Sequence, residues 1–128
     1  MYNIRPIKKK DILKFGLSEN FKNHCNFENL SQNKTSIFIV ENKNESNIEG
    51  LIIITFNNRN IYIENFVINY NLQKKSIDKN LLNFIIELAI NKGINKIKAK
   101  LNTSYNSLLK NMGFKIGSSY LELDLQDI

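Results

Sequence analysis

A chain of 128 residues can build one ordinary hydrophobic core and is too short for two typical domains, so a single domain over residues 1–128 is expected. Hydrophobic residues at 42% and charged residues at 23% exclude a disordered tail, and no apolar run approaches the roughly 20 residues that span a bilayer. The start, charged at Arg5 and Lys8, has no signal-peptide core, and the expectation is a soluble cytoplasmic protein with no membrane partner.

The net charge of +6 raises the question of nucleic acid, because clustered lysines bind phosphate by releasing counterions. Of 18 basic residues only Arg5 and Arg59 are arginines, however, and the chain is as rich in Asn and Ile as in Lys. Those three residue types rise together in A- and T-rich coding sequence, and scarce Arg argues against bidentate base reading. A single cysteine, Cys25, excludes an internal disulfide, and with one histidine, His24, there is no ligand set for a structural zinc, so no metal is expected.

In chain order, residues 2 to 7 read as a short strand and Lys8 to Phe15 as a first helix, with Ile12, Leu13 and Phe15 on its apolar side. Gly16 and Ser18 break that pattern, and Phe21, Cys25, Phe27 and Leu30 suggest a second short helix across a sheet. Thr35 to Val40 is a strand, Glu41 to Asn47 a polar hairpin loop, and Ile48 to Phe56 the return strand. Gly50 inside it marks either a bulge or a close backbone approach. Asn57-Asn58-Arg59-Asn60 is the next turn, leading into a third antiparallel strand.

That strand, Ile61 to Ile68, is rich in β-branched and aromatic residues and apolar on both faces, as expected of a strand covered on both sides. A polar turn containing Gln73-Lys74-Lys75-Ser76-Ile77-Asp78 follows. Then Ile77, Leu81, Leu82, Ile85, Leu88 and Ala89 recur at helical spacing, with Gly93 just beyond the last turn. The next strand alternates Ile97, Ala99 and Leu101 with Lys96, Lys98 and Lys100 and, joined by a helix, should run parallel to the strand before it. Its lysine face is either solvated surface or a rim for an acidic partner, a phosphate or another subunit. Asn102 to Ser104 offer N-cap side chains, Tyr105, Leu108, Leu109 and Met112 form a helical stripe, and Gly113-Phe114 reads as a Schellman ending. The chain closes with two strands, Phe114 to Ile116 and Tyr120 to Leu125, joined at Gly117-Ser118-Ser119.

A strand-to-helix turn is a natural seat for phosphate, since the first helical amides lack intrahelical acceptors and the macrodipole is positive there. The arrangement resembles the central motif of the GNAT family of N-acetyltransferases, a strand followed by Gln/Arg-x-x-Gly-x-Gly/Ala opening a helix. Gln73 holds the first place, while Ser76 and Asp78 stand where the small residues belong. The family's later pattern, Asn-x-x-Ala-x-x-Leu/Phe-Tyr-x-x-x-Gly-Phe, is matched in register by Asn102, Tyr105, Leu108, Leu109, Gly113 and Phe114, with the alanine and the tyrosine replaced. The opening Tyr2-Asn3-Ile4-Arg5-Pro6-Ile7 with Asp11-Ile12 resembles the family's first strand and helix.

The resemblance implies an α/β fold with a mixed sheet, antiparallel in its first half, a parallel splayed strand pair, and helices on both faces. It implies acetyl-CoA as cofactor and an amine acceptor. Main-chain groups of Phe66, Val67 and Ile68 would align the pantetheine, the turn Gln73, Lys74, Lys75, Ser76, Ile77, Asp78 and Lys79 would receive the pyrophosphate, and Asn102 would meet the cofactor at the next strand end. Glu64 lies where some members carry a carboxylate that draws the amine proton through water. A carboxylate within an apolar strand tends to a raised pKa, while the alternative is that Glu64 hydrogen-bonds a neighbouring loop. The family's tyrosine acid falls on Leu109, which leaves Tyr105, one turn earlier, as the candidate acid. Asp78 places a carboxylate near the expected anion, and Ser76 could cap the helix itself. The leading function is therefore N-acetylation of a small-molecule or peptidyl amine. The alternatives are a non-catalytic binding or regulatory module on the same fold and a basic nucleic-acid-associated module. Homodimerisation stays open.

Overall fold

The computed structural model describes residues 2–8, 10–11, 35–43, 47–68, 77–100, 105–117 and 119–127. Seven strands form one sheet: β1 (Tyr2–Pro6), β2 (Thr35–Asn42), β3 (Asn47–Asn57), β4 (Asn60–Ile68), β5 (Lys96–Lys100), β6 (Lys115–Ile116) and β7 (Tyr120–Asp124). The spatial order is β1-β2-β3-β4-β5-β7-β6, so β7 inserts between β5 and the edge strand β6. β1 to β4 are antiparallel neighbours, and β4 pairs with β5 in parallel through helix α1 (Ile77–Asn91). A short helix α2 (Asn106–Asn111) joins β5 to β6. This is the mixed sheet expected from the sequence.

Periodicity explains the packing. Ile77, Leu81, Leu82, Ile85 and Ala89 form the buried stripe of α1. They meet Ile52, Ile54, Ile61, Ile63, Phe66, Ile68, Ile97, Ala99, Leu121 and Leu123 on one face of the sheet, joined by Leu109 of α2. Each fully buried Ile or Leu side chain in such a cluster stabilises the fold by about 2 kcal/mol. The opposite face carries a smaller cluster of Ile37, Ile39, Leu51 and Ile53, with Ile7 and Val67 against it. Both helices end in a Schellman motif on a glycine. Gly93 at φ 70° and Gly113 at φ 101° take the left-handed conformation that a Cβ would oppose. Ile94 N–H then reaches Ala89 O at 2.9 Å, and Phe114 N–H reaches Leu109 O at 3.0 Å.

β4 is irregular at one point. Ile53 of β3 lies opposite Asn65 and Ile54 opposite Ile63, leaving Glu64 as the extra residue of a β-bulge. The bulge lets Ile61, Ile63, Phe66 and Ile68 all face α1, which strict alternation would forbid. It also turns Glu64 outward: the residue is exposed, which corrects the expectation of a carboxylate enclosed in an apolar strand. The strand is likewise not covered throughout on its second face, where Tyr62 is half-buried against Tyr120, ring centroids 5.7 Å apart. Gly50 satisfies both readings offered for it. It adjoins a register shift between Val40 and Glu41, and a Cβ there would lie 2.9 Å from Val67 O and strike the Ile68 side chain.

A charge cluster closes the second face at the start of the chain. Arg5 donates to Asp11 through two nitrogens at 2.7 and 3.1 Å, and to Glu41 at 2.9 and 3.4 Å. Lys8 N–H also donates to Asp11 at 2.8 Å, and the Asp11 side chain is only 1% exposed. Hydrogen bonds from the guanidinium hold the Asp11 and Glu41 carboxyls below their usual range, and those same bonds raise the Arg5 pKa. Since Asp11 is helical, the cluster pins the start of a helix to this face.

Some expectations need correction. The last strand stops at Asp124, because Leu125 opens a 3-10 turn (Leu125–Asp127) and donates its N–H to Asn95 O at 2.9 Å. Helix α2 begins at Asn106 with Tyr105 in the N-cap position and no side-chain cap hydrogen bond, while Asn102 to Ser104, the expected capping residues, lie outside the described residues. The remainder of the two expected N-terminal helices, with His24 and Cys25, lies outside the described residues. No described helix is long and apolar enough to cross a membrane.

Candidate active site

The bulge and the end of β5 create the site. β4 and β5 pair only from Asn60↔Lys96 to Ile63↔Ala99, while β4 runs on to Ile68. Beyond Ile63 the two strands part, and a cleft of about 310 Å³ opens between them. Glu64, Asn65, Phe66 and Val67 form one wall, Ala99 and Lys100 the other, with Leu82, Tyr105 and Leu109 closing it.

Each wall has a physical origin. Glu64 reaches the cleft because it is the unpaired bulge residue. Tyr105 reaches it because α2 starts immediately after it. The Tyr105 ring packs edge-on against Phe66 with centroids 4.4 Å apart, and its hydroxyl accepts the Ile68 N–H at 3.2 Å. Leu109, one turn on, is 3% exposed and supplies apolar lining, so among the described lining residues the hydroxyl is that of Tyr105. The adjacent Phe66 N–H donates to Asn65 Oδ1 at 2.8 Å.

Thus Glu64, Phe66, Val67 and Tyr105 come together at one cleft, and Ile68 joins through its bond to Tyr105. Ile77, Asp78 and Lys79 sit apart from its lining, at the start of α1. Ile77 is buried in the core, and Asp78 Oδ1 accepts the Lys79 N–H at 2.8 Å, so one helix-start amide is satisfied by the chain itself. Gln73, Lys74, Lys75, Ser76 and Asn102 lie outside the described residues. Sequence reasoning missed Asn65 and Lys100 as lining residues. The signal was present in Glu64-Asn65, two consecutive polar residues that interrupt an apolar strand and mark the bulge.

The β5 lysines divide. Lys96 and Lys98 approach Glu122 at 4.0 and 3.7 Å, and Lys98 also lies 5.7 Å from the Tyr62 ring centre. Lys100 is exposed at the cleft. Among the described residues no group of three or more His, Cys, Asp or Glu could hold a metal ion.

Known proteins bear out this architecture. Across its length the chain is similar to a GNAT-family acetyltransferase from Staphylococcus aureus, with a TM-score of 0.74 at 16% identity over 98% of this chain and 99% of that one. The ribosomal-protein-S18-alanine N-acetyltransferase of Escherichia coli superposes with a TM-score of 0.76 at 10% identity over 98% and 94% of the two chains. The spermidine/spermine N-acetyltransferase of Vibrio cholerae does so with a TM-score of 0.71 at 14% identity over 99% and 96%. Among curated protein sequences there is no match. The model of the Acetyltransferase (GNAT) family matches residues 3–114, from β1 through β5 and both α1 and α2, and the chain belongs to that family.

Proposed function

We propose that the chain is an acetyl-CoA-dependent N-acetyltransferase acting on a small-molecule or peptidyl amine in the cleft between β4 and β5. The observation that carries this is the parting of the two strands beyond Ile63 and Ala99, with a bulged carboxylate on one wall and a phenol at the floor. The residues fit the cofactor at one end. From Glu64 to Ile68 the β4 edge is not paired to β5, so main-chain groups of Phe66 to Ile68 can hold an extended pantetheine arm. At the other end, Gln73 to Lys79 would hold the pyrophosphate, with Lys74, Lys75 and Lys79 offsetting Asp78, and Asn102 would contact the cofactor at the end of β5.

When bound, acetyl-CoA supplies an acetyl thioester, and transfer to the amine leaves an amide and a free thiol. Glu64, exposed at the cleft, receives the amine proton through water. Tyr105 holds a phenolic proton at the cleft floor, in place of the hydroxyl that Leu109 lacks. Positioning by the β4 edge contributes more than the acid, because a thiolate leaves readily. Structural relatives named for a ribosomal-protein alanine and for spermidine support keeping both peptidyl and small-molecule amines as acceptor classes.

The test is thermal denaturation with and without acetyl-CoA, followed by thiol release across a panel of amines. Binding to the native state should raise the melting temperature as RT ln(1 + [L]/Kd). No shift at millimolar acetyl-CoA would favour the second reading, a GNAT-fold binding module. The Asp78 carboxylate on the Lys79 amide supports that reading, and Asp78→Gly should then restore cofactor binding.

A further inference from the structure

We infer that Asn65 and Tyr105 are place-holders on the cleft edge of β4, each occupying a backbone amide that a pantetheine arm must take over. This rests on the acetyl-CoA reading above. Along a strand the main-chain polar groups of successive residues point to opposite edges. The Val67 carbonyl lies 2.9 Å from where a Gly50 Cβ would sit, so Val67 directs its polar groups to β3, and Phe66 and Ile68 direct theirs to the cleft. Neither of those amides meets β5, since pairing has ended at Ile63 and Ala99.

Both are nevertheless satisfied. Phe66 N–H donates to Asn65 Oδ1 at 2.8 Å, and Ile68 N–H donates to Tyr105 Oη at 3.2 Å. Phe66 and Ile68 are only 8% and 5% exposed, so neither amide could rely on bulk water instead. The two acceptors differ in how they yield. Asn65 is the preceding residue and withdraws by side-chain rotation. Tyr105 comes from a point 37 residues further on, with its ring packed on Phe66, and withdraws only if that ring or the start of α2 shifts. Cofactor binding at this edge is therefore an exchange of hydrogen bonds, and weakening the internal bond in the free protein raises affinity.

The experiment is calorimetric titration of coenzyme A into the wild type, Tyr105→Phe and Asn65→Ala, with melting temperatures of the free proteins. Tyr105→Phe keeps the ring and removes the acceptor, so the free protein should melt lower and bind coenzyme A about two- to tenfold tighter. Asn65→Ala should gain similarly and carries the test should Tyr105→Phe not fold. A wild-type titration followed by backbone amide NMR should move the Phe66 and Ile68 signals and leave Val67 nearly still. Unchanged or weaker binding by both variants, or coenzyme A binding that leaves the Phe66 and Ile68 signals in place, overturns the place-holder while the cofactor reading stands. No binding by the wild type or by either variant overturns the cofactor reading and this inference with it.

Discussion

Two carboxylates, one on a helix start and one on a strand, are held in opposite ways. Asp11 is enclosed, 1% exposed, and bonded to Arg5 through both oxygens, whereas Glu64 is lifted out of β4 by a bulge and stands in solvent at a cleft. The first is fixed in charge and position and serves the architecture. The second is left open at the cleft. The partners around each carboxylate, an arginine and an amide for Asp11 and an open cleft for Glu64, separate them more than residue type does.

The contrast can be broken most forcefully at Asp11. Asp11→Ala leaves the Arg5 guanidinium with Glu41 alone in a nearly buried setting and should cost about 3 kcal/mol of stability by urea denaturation, in the range for breaking a buried pair. Glu64→Gln should do the reverse, leaving stability within about 0.5 kcal/mol and lowering amine acetylation about a hundredfold or more in a thiol-release assay. Gly50→Ala sits between the two regions. Its new methyl would meet Val67 O and Ile68, so we expect about 1–3 kcal/mol of destabilisation and weaker coenzyme A binding from a displaced β4 edge. The smallest effect belongs to the exposed lysine face. Lys96→Ala should change stability by less than about 0.5 kcal/mol, since its 4.0 Å contact with Glu122 is surface-screened.

Acidity sharpens the same comparison. Asp11 and Glu41 have depressed folded-state pKa values, so their stabilising contribution is complete above the ordinary carboxylate range and is lost as pH falls through the depressed values. Melting temperature measured from neutral pH downward should therefore fall below about pH 4. Glu41→Gln should flatten part of that decline.

The sheet and crossover were legible because periodic burial writes them directly. The stripe Ile77, Leu81, Leu82, Ile85 and Ala89, the alternation of Ile97 and Ala99 with lysines, and the two terminal glycines each report local geometry. The cleft was legible in part. Glu64, Phe66, Val67, Ile68 and Tyr105 were named through the family resemblance, and Tyr105 proves to reach β4 across 37 residues. Lost to the sequence were features set by pairing rather than pattern. Glu64-Asn65 interrupts the apolar pattern of β4, but which residue is the extra one depends on where β3 lies against it, while the Arg5–Asp11–Glu41 cluster joins residues up to 36 apart and leaves no periodic trace.

The bulge also says what kind of change this protein tolerates at residue 64. Glu64 is the supernumerary position between Ile63 and Asn65, outside the alternation that sets which β4 side chains face α1. Swapping it for another residue leaves every apolar partner of α1 in place, and deleting it would leave a regular ladder in which Ile63, Phe66 and Ile68 still face α1 and Val67 the opposite side. The bulge is thus an insertion that the core absorbs, and what it adds is a side chain standing at the mouth of the cleft.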